Sequence, residues 1–193
     1  MSTERGRLIV VSGPSGVGKS TVVAALHERH PFFFSVSVTT RRRRPGEVDG
    51  VDYRFVTPET FADLRSSGQL LEWAEYAGYR YGTPKDPVLE QLASGNDVLL
   101  DIEVDGAAQV KAVFPEAITV FVAPPSMEAL EQRLRGRGDT DPEQIERRLE
   151  IAAWQLRNAR DTFDHVVVNR DVEDTVAQIL RILAESPTRA DSS

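Results

Sequence analysis

The chain has 193 residues, a formal net charge of -7 and a pI near 5.1. That is one domain's length with room for a full core, and it carries no global basic field for holding nucleic acid. It has no cysteine and three scattered histidines, His27, His30 and His165, which excludes disulfides, thiolate chemistry and a Cys/His zinc site. No stretch approaches the about 18 apolar residues of a membrane span and the N-terminus lacks an apolar leader core, so a cytoplasmic protein without membrane partners is expected.

Met1–Gly6 reads as a frayed lead. Arg7–Ser12 is predicted as a strand, and its unbroken run Leu8-Ile9-Val10-Val11 suits burial on both faces of a parallel sheet. Next comes G-x-x-x-x-G-K-[ST], met by Gly13, Gly18, Lys19 and Ser20, and a helix to about His30 with Val22, Val23 and Leu26 at helical spacing. A strand before and a helix after make this a phosphate loop. Its small residues let backbone N–H groups converge on phosphate at the positive end of the helix dipole, and the ATP-binding stretch is expected to run through Pro14, Ser15, Gly16 and Val17 to Thr21. Lys19 reaches the β/γ-phosphates, Ser20 offers its hydroxyl to Mg²⁺, and a bound nucleoside triphosphate is expected.

Phe32–Val38 is predicted as a second strand, with Phe34, Val36 and Val38 alternating against Ser35 and Ser37. From Thr39 the chain turns polar and basic. A short strand at Asp52–Val56 leads to Thr57-Pro58, an N-cap with Pro at N1, and a helix through Leu64. Leu70–Tyr76 and Tyr79–Tyr81 read as two strands about a Gly78 turn, and a helix over Pro84–Ser94 follows. This block breaks the strand–helix alternation around it and reads as an inserted subdomain.

Asp97–Ile102, Ile118–Ala123 and His165–Asn169 are three further buried strands. Helices are expected at about Asp105–Val113, from Ser126 to Arg137 with Met127, Leu130 and Leu134 on one face, and from Asp141 towards Phe163. Asp141-Pro142-Glu143-Gln144 reads as a capping box. A last helix from Asp171 to about Ala184 carries Val172, Val176, Ile179, Leu180 and Leu183, and a tail from about Pro187 is expected to be disordered. Five core strands alternating with helices predict a doubly wound α/β fold, a five-stranded parallel sheet with ligands outside the strands' carboxyl ends.

Asp101 ends an apolar strand, where a carboxylate holds Mg²⁺ directly or through water. Arg41–Arg44 is the densest charge run. In an acidic chain with no aromatics between them, these arginines suit a doubly charged phosphate better than a nucleic acid, with Arg41 and Arg44 converging on one oxyanion. A second set, Arg133, Arg135, Arg137, Arg147 and Arg148, lies on two helices about a glycine hinge. Its acidic neighbours make most of it salt-bridged surface, but a mobile lid of this kind also delivers cations over a migrating phosphoryl group.

The segments GPSGVGKST, SVTTRRRRPGEVDGVDY, LLEWAEYAGYRYGTP, LLDIEVDGA, FVAPPSMEAL with RLRGRG, and IERRL, in this order and spacing, resemble guanylate kinases along the whole folded chain. The resemblance implies a P-loop core at 1–36, 86–125 and 157–193, an inserted small α+β GMP-binding subdomain at 37–85 and a helical lid at 126–156. It further implies the reaction ATP + GMP ⇌ ADP + GDP with Mg²⁺, in a monomer or small homo-oligomer. By position, Arg41, Arg44, Tyr53 and Tyr81 match residues that hold the GMP phosphate, and Ser37, Glu72, Thr83 and Glu103 match those facing guanine, with Asp101 beside them. Arg133, Arg137 and Arg148 match lid arginines at the ATP phosphates, and Asn169 lies where the adenine is held. Two positions depart from the family pattern: Asp105 stands where Gln is usual, and Arg170 where an acid is usual. Glu72 taken alone reads as a surface strand residue. The alternatives are a guanylate-kinase-like module without activity, or a P-loop kinase acting on another small phosphate acceptor.

Overall fold

Short runs of β-branched and aliphatic residues form the core strands, and the loops after them carry the polar chemistry. The computed structural model describes residues 5–136 and 141–186. In chain order the first elements are β1 Leu8–Ser12, α1 Lys19–Arg29, β2 Phe33–Phe34, β3 Val38–Thr39, β4 Arg54–Phe55, α2 Pro58–Ser66, β5 Leu70–Tyr76, β6 Tyr79–Pro84 and α3 Lys85–Ala93. Then follow β7 Val98–Asp101, α4 Val104–Val113, β8 Ile118–Ala123, α5 Met127–Arg135, α6 Pro142–Thr162, β9 His165–Val168 and α7 Val172–Glu185. Five strands form one sheet in the order β2-β7-β1-β8-β9, and four form a second in the order β4-β3-β6-β5. Among the described residues no helix is long and apolar enough to cross a membrane.

By its internal contacts the chain divides into two compact units, one holding the segment to Ile9 with Phe32–Ala117, the other Val10–Pro31 with Ile118–Pro187. In the first unit Val98, Leu99 and Leu100 are buried on β7, and β2 runs parallel to it with Phe33 opposite Val98. The Arg7 backbone N–H and guanidinium both donate to the Asp97 carboxylate, at 2.8 and 2.6 Å, fixing the entry to β7. In the second sheet β3 pairs β4 in parallel, while β6 pairs both β3 and β5 antiparallel. The β5–β6 hairpin turns at Ala77 and Gly78, whose φ values of 51° and 79° are both left-handed, as a two-residue type I′ turn requires. A register shift between Leu70 and Glu72 makes a β-bulge in β5. Side chains normally alternate along a strand, but the extra residue lets Leu71 and Glu72 both be buried. The Arg65 guanidinium of α2 lies over the Trp73 ring at 4.0 Å.

In the second unit β8 is buried throughout and β9 runs parallel to it. Leu130 and Leu134 of α5 pack with Ile145 and Ala152 of α6, and half-buried Met127 and Leu149 border that cluster. Trp154 of α6 is exposed. Val176, Ile179 and Leu183 bury the inner stripe of α7, and Val172 and Leu180 border it.

Several expectations are corrected. Phe32–Val38 is not one strand: the Ser35 N–H still donates to Leu99, but the Ser37 carbonyl already accepts from Arg54, so the chain changes sheets between β2 and β3. The alternation reverses there, with Ser35 buried and Phe34 exposed. The strand expected at Asp52–Val56 shrinks to β4, and the one at Tyr79–Tyr81 lengthens to Pro84 because β5 continues alongside it. β9 is an edge strand and only partly buried. Asp141 caps α6 by accepting from the Glu143 N–H rather than through the box with Gln144. α3 and α4 start at Lys85 and Val104 rather than Pro84 and Asp105, and α5 ends at Arg135. Arg137 and the tail from Pro187 lie outside the described residues.

Candidate active site

The second unit presents a phosphate loop. Buried β1 ends at Ser12, and the loop rises through Gly13, Gly16 and Gly18, all at positive φ. Gly18, in the left-handed region at φ 98°, is the N-cap of α1, so the first N–H groups of the helix open onto the loop without a side chain over them. Lys19 donates from Nζ to the Gly13 carbonyl at 2.9 Å, which holds the ammonium across the loop. Ser20 and Thr21 are exposed in the first turn of α1. The Val17 carbonyl accepts twice, from Arg133 Nη1 at 2.8 Å and from Asn169 Nδ2 at 2.8 Å. Arg133 also donates to the Asn169 carbonyl at 3.2 Å, and the Thr175 hydroxyl donates to Asn169 Oδ1 at 3.2 Å. A carbonyl drawn off by two donors is turned away from an incoming anion, and the loop's N–H groups keep the inner side. A cavity of about 260 Å³ beside the loop is lined by Val17, Gly18, Thr21, Arg133, Asn169 and Arg170 among others. Arg133 is thus a loop-facing arginine, whereas Arg135 is the surface kind, paired with Glu131 one turn back at 2.7 Å. Arg148 is half-buried on α6, and among the described residues no hydrogen bond joins it to the loop.

The first unit presents an arginine and tyrosine cluster beside a buried acid. Arg41 donates to Glu47 through Nη2 at 2.7 Å and Nη1 at 3.0 Å, and its guanidinium lies 5.3 Å over the Tyr53 ring and 5.7 Å over Phe55. The hydrogen bond holds Glu47 below the usual carboxylate range and raises Arg41. Arg44 is exposed and reaches Glu47 by its backbone N–H at 2.7 Å, so Arg41 and Arg44 meet at this carboxylate through different groups. Tyr53 and Tyr81 stand edge to face with centroids 6.0 Å apart. Burial and then the Asp101 charge push the Tyr53 phenol up to about 12, and burial raises Tyr81, so both are hydrogen-bonding hydroxyls at neutral pH.

Glu72, on the bulged stretch of β5, is 3% exposed and is no surface residue. The Thr83 hydroxyl, across the hairpin, donates to its Oε1 at 2.6 Å. Burial pushes the Glu72 carboxyl up to about 7, against the Thr83 hydrogen bonds and with a smaller push from the Glu103 charge. Glu103 is the N-cap of α4 and half-buried, Asp101 ends β7, and Ser37 is half-buried between β2 and β3. Asp105, in the first turn of α4, is exposed.

Two residues beyond the expected set belong to this cluster. Glu47 has a legible signal, since Pro45-Gly46 turns the chain back on the arginines. Gln109 of α4 has none: its side chain bonds the Trp73 backbone from 36 positions away.

The chain is similar to known proteins over nearly its whole length. A family model described as guanylate kinase matches residues 5–186. A guanylate kinase of Thermus thermophilus is 53% identical over 190 residues, covering 98% of this chain and 85% of that protein. One from Thermobifida fusca is 53% identical over 184 residues, covering 95% and 93%. Among solved structures, a guanylate kinase from Anaplasma phagocytophilum superposes with a TM-score of 0.78 at 37% identity, covering 95% of this chain and 87% of that one. Agreement of this extent in sequence and in fold admits one assignment: the chain belongs to the guanylate kinase family.

Proposed function

We propose that this protein transfers the γ-phosphoryl group of ATP to GMP, and to dGMP, giving ADP and the guanosine diphosphate. The observation that carries the choice of acceptor is the buried Glu72 carboxylate beside Thr83. Guanine presents N1–H and N2–H₂ donors along one edge, and an ionised carboxylate accepts from both, whereas adenine has no such pair there. An adenine in that place leaves a buried acid unsatisfied, which is how a polar site rejects the wrong base.

On this reading residues 37–85 bind GMP, with its phosphate on Arg41, Arg44, Tyr53 and Tyr81 and its base at Ser37, Glu72, Thr83, Asp101 and Glu103. Residues 126–156 act as the lid. Gly13–Thr21 cradles the ATP phosphates, Arg133, Arg137 and Arg148 neutralise charge that builds on the migrating phosphoryl group, and Asn169 lies by the adenine. Ser20 and Asp101 supply hard oxygen donors, and no cluster of three or more His, Cys, Asp or Glu suited to a metal occurs among the described residues. Oxygens of each kind suit Mg²⁺, which takes one or two carboxylates and completes its shell with phosphates and water. When bound, the ion neutralises phosphate charge. A cytoplasmic monomer or small homo-oligomer handling two small nucleotides is the implied setting.

A coupled assay offering GMP, dGMP, AMP and a sugar phosphate to the wild type and to Lys19→Ala tests this. The wild type should favour the guanine nucleotides. Lys19→Ala should lose at least about 10² in kcat, as for one missing transition-state contact, while calorimetry finds its GMP affinity unchanged. Equal use of AMP, or a variant keeping over about a tenth of kcat, would sink the reading.

A further inference from the structure

The Glu72–Trp73 stretch of β5 is backed by α4 at two points one turn apart. The first is Gly106. A Cβ built there would overlap Glu72 Oε2 and lie 3.0 Å from its Cδ, so the carboxylate rests against the bare backbone of the helix. The second is Gln109, three residues on and therefore on the same face of α4. Its Nε2 donates to the Trp73 carbonyl at 2.6 Å, and its Oε1 accepts from the Trp73 N–H at 3.2 Å. β5 is the edge strand of its sheet, and Gln109 pairs with it at Trp73 as a neighbouring strand would. One contact therefore sets how far the acid projects and the other fixes the backbone of the next residue along β5.

We propose that Gly106 and Gln109 are positioning residues for guanine recognition, placing Glu72 so that both its oxygens meet the base. This rests on the reading of Glu72 as the guanine acceptor. Neither residue touches the nucleotide. They act through the acid, so their loss should appear as loss of base selectivity with the ATP half unaffected.

The test measures KM and kcat for GMP and AMP, and KM for ATP, in the wild type, Gly106→Ala, Gln109→Ala, Glu72→Ala and the double variant Gly106→Ala/Glu72→Ala. Both positioning variants should raise KM for GMP about tenfold or more, a cost in the range known for small misplacements of a binding group, and leave AMP use and KM for ATP unchanged. In the Glu72→Ala background the added methyl at 106 has nothing to strike, so Gly106→Ala should become silent. Should Gly106→Ala fail to fold, Gln109→Ala decides alone. The inference is overturned if Glu72→Ala abolishes guanine selectivity while Gln109→Ala keeps it, or if Gly106→Ala costs the same with and without Glu72. If Glu72→Ala itself leaves selectivity intact, the acceptor has been misread and the inference falls with it.

Discussion

Arg41 is held before any nucleotide arrives, by one carboxylate and two aromatic faces. Glu47 takes the Nη1–Nη2 end of the fork, and the Arg42 carbonyl also accepts from Nη1 at 2.8 Å. A guanidinium already desolvated and oriented loses less freedom on gripping a phosphate than one waving in solvent. Glu47→Gln keeps the shape and removes the charge, so KM for GMP should rise about fivefold with KM for ATP unchanged, as befits a partly exposed charged hydrogen bond. A fall in KM would mean instead that Glu47 competes with the phosphate. At this scale the sequence reveals what a fixed local spacing encodes. Gly13, Gly18, Lys19 and Ser20 are legible because the phosphate-binding physics needs them in one short run. Gln109 is not, because nothing local to it announces that its amide will serve a strand edge.

Elements are legible where a segment stays in one environment, as β1, β8 and α7 do. They mislead where the chain changes sheets, since the alternation of 32–38 is shared between two sheets that face different ways of burial. The β5–β6 hairpin is a further case. A type I′ turn favours Asn or Gly at its first central position, yet Ala77 sits there at φ 51°. An alanine in the left-handed region costs about 1 kcal/mol, whereas asparagine tolerates it. Ala77→Asn should therefore raise stability by about 0.5–1 kcal/mol in urea unfolding, with activity unchanged. No gain would show that the turn relaxes around its strain in another way.

For the whole molecule, the buried acid makes folding pH-dependent. Glu72 titrates near 4.5 when unfolded and at about 7 when folded, so between these values the folded chain keeps a proton that the unfolded chain has released. Its contribution to stability is present at low pH and is lost as the pH rises through about 7. From pH 6 to 8 the wild type should lose about 1 kcal/mol that Glu72→Gln does not lose, measured by urea unfolding of the two proteins side by side. Parallel curves would mean that water reaches the carboxylate. A last consequence follows from the guanidinium stacked on Trp73. The chain has two tryptophans. Trp73, next to Glu72 in the first unit, emits beneath a cation, and Trp154 in the second unit emits at 52% exposure. The molecule therefore carries two intrinsic fluorophores in different surroundings, one half-buried under a guanidinium and one exposed. Acrylamide, which is uncharged and so reports exposure alone, should quench Trp154 first, and GMP added without ATP should change the emission that it leaves behind.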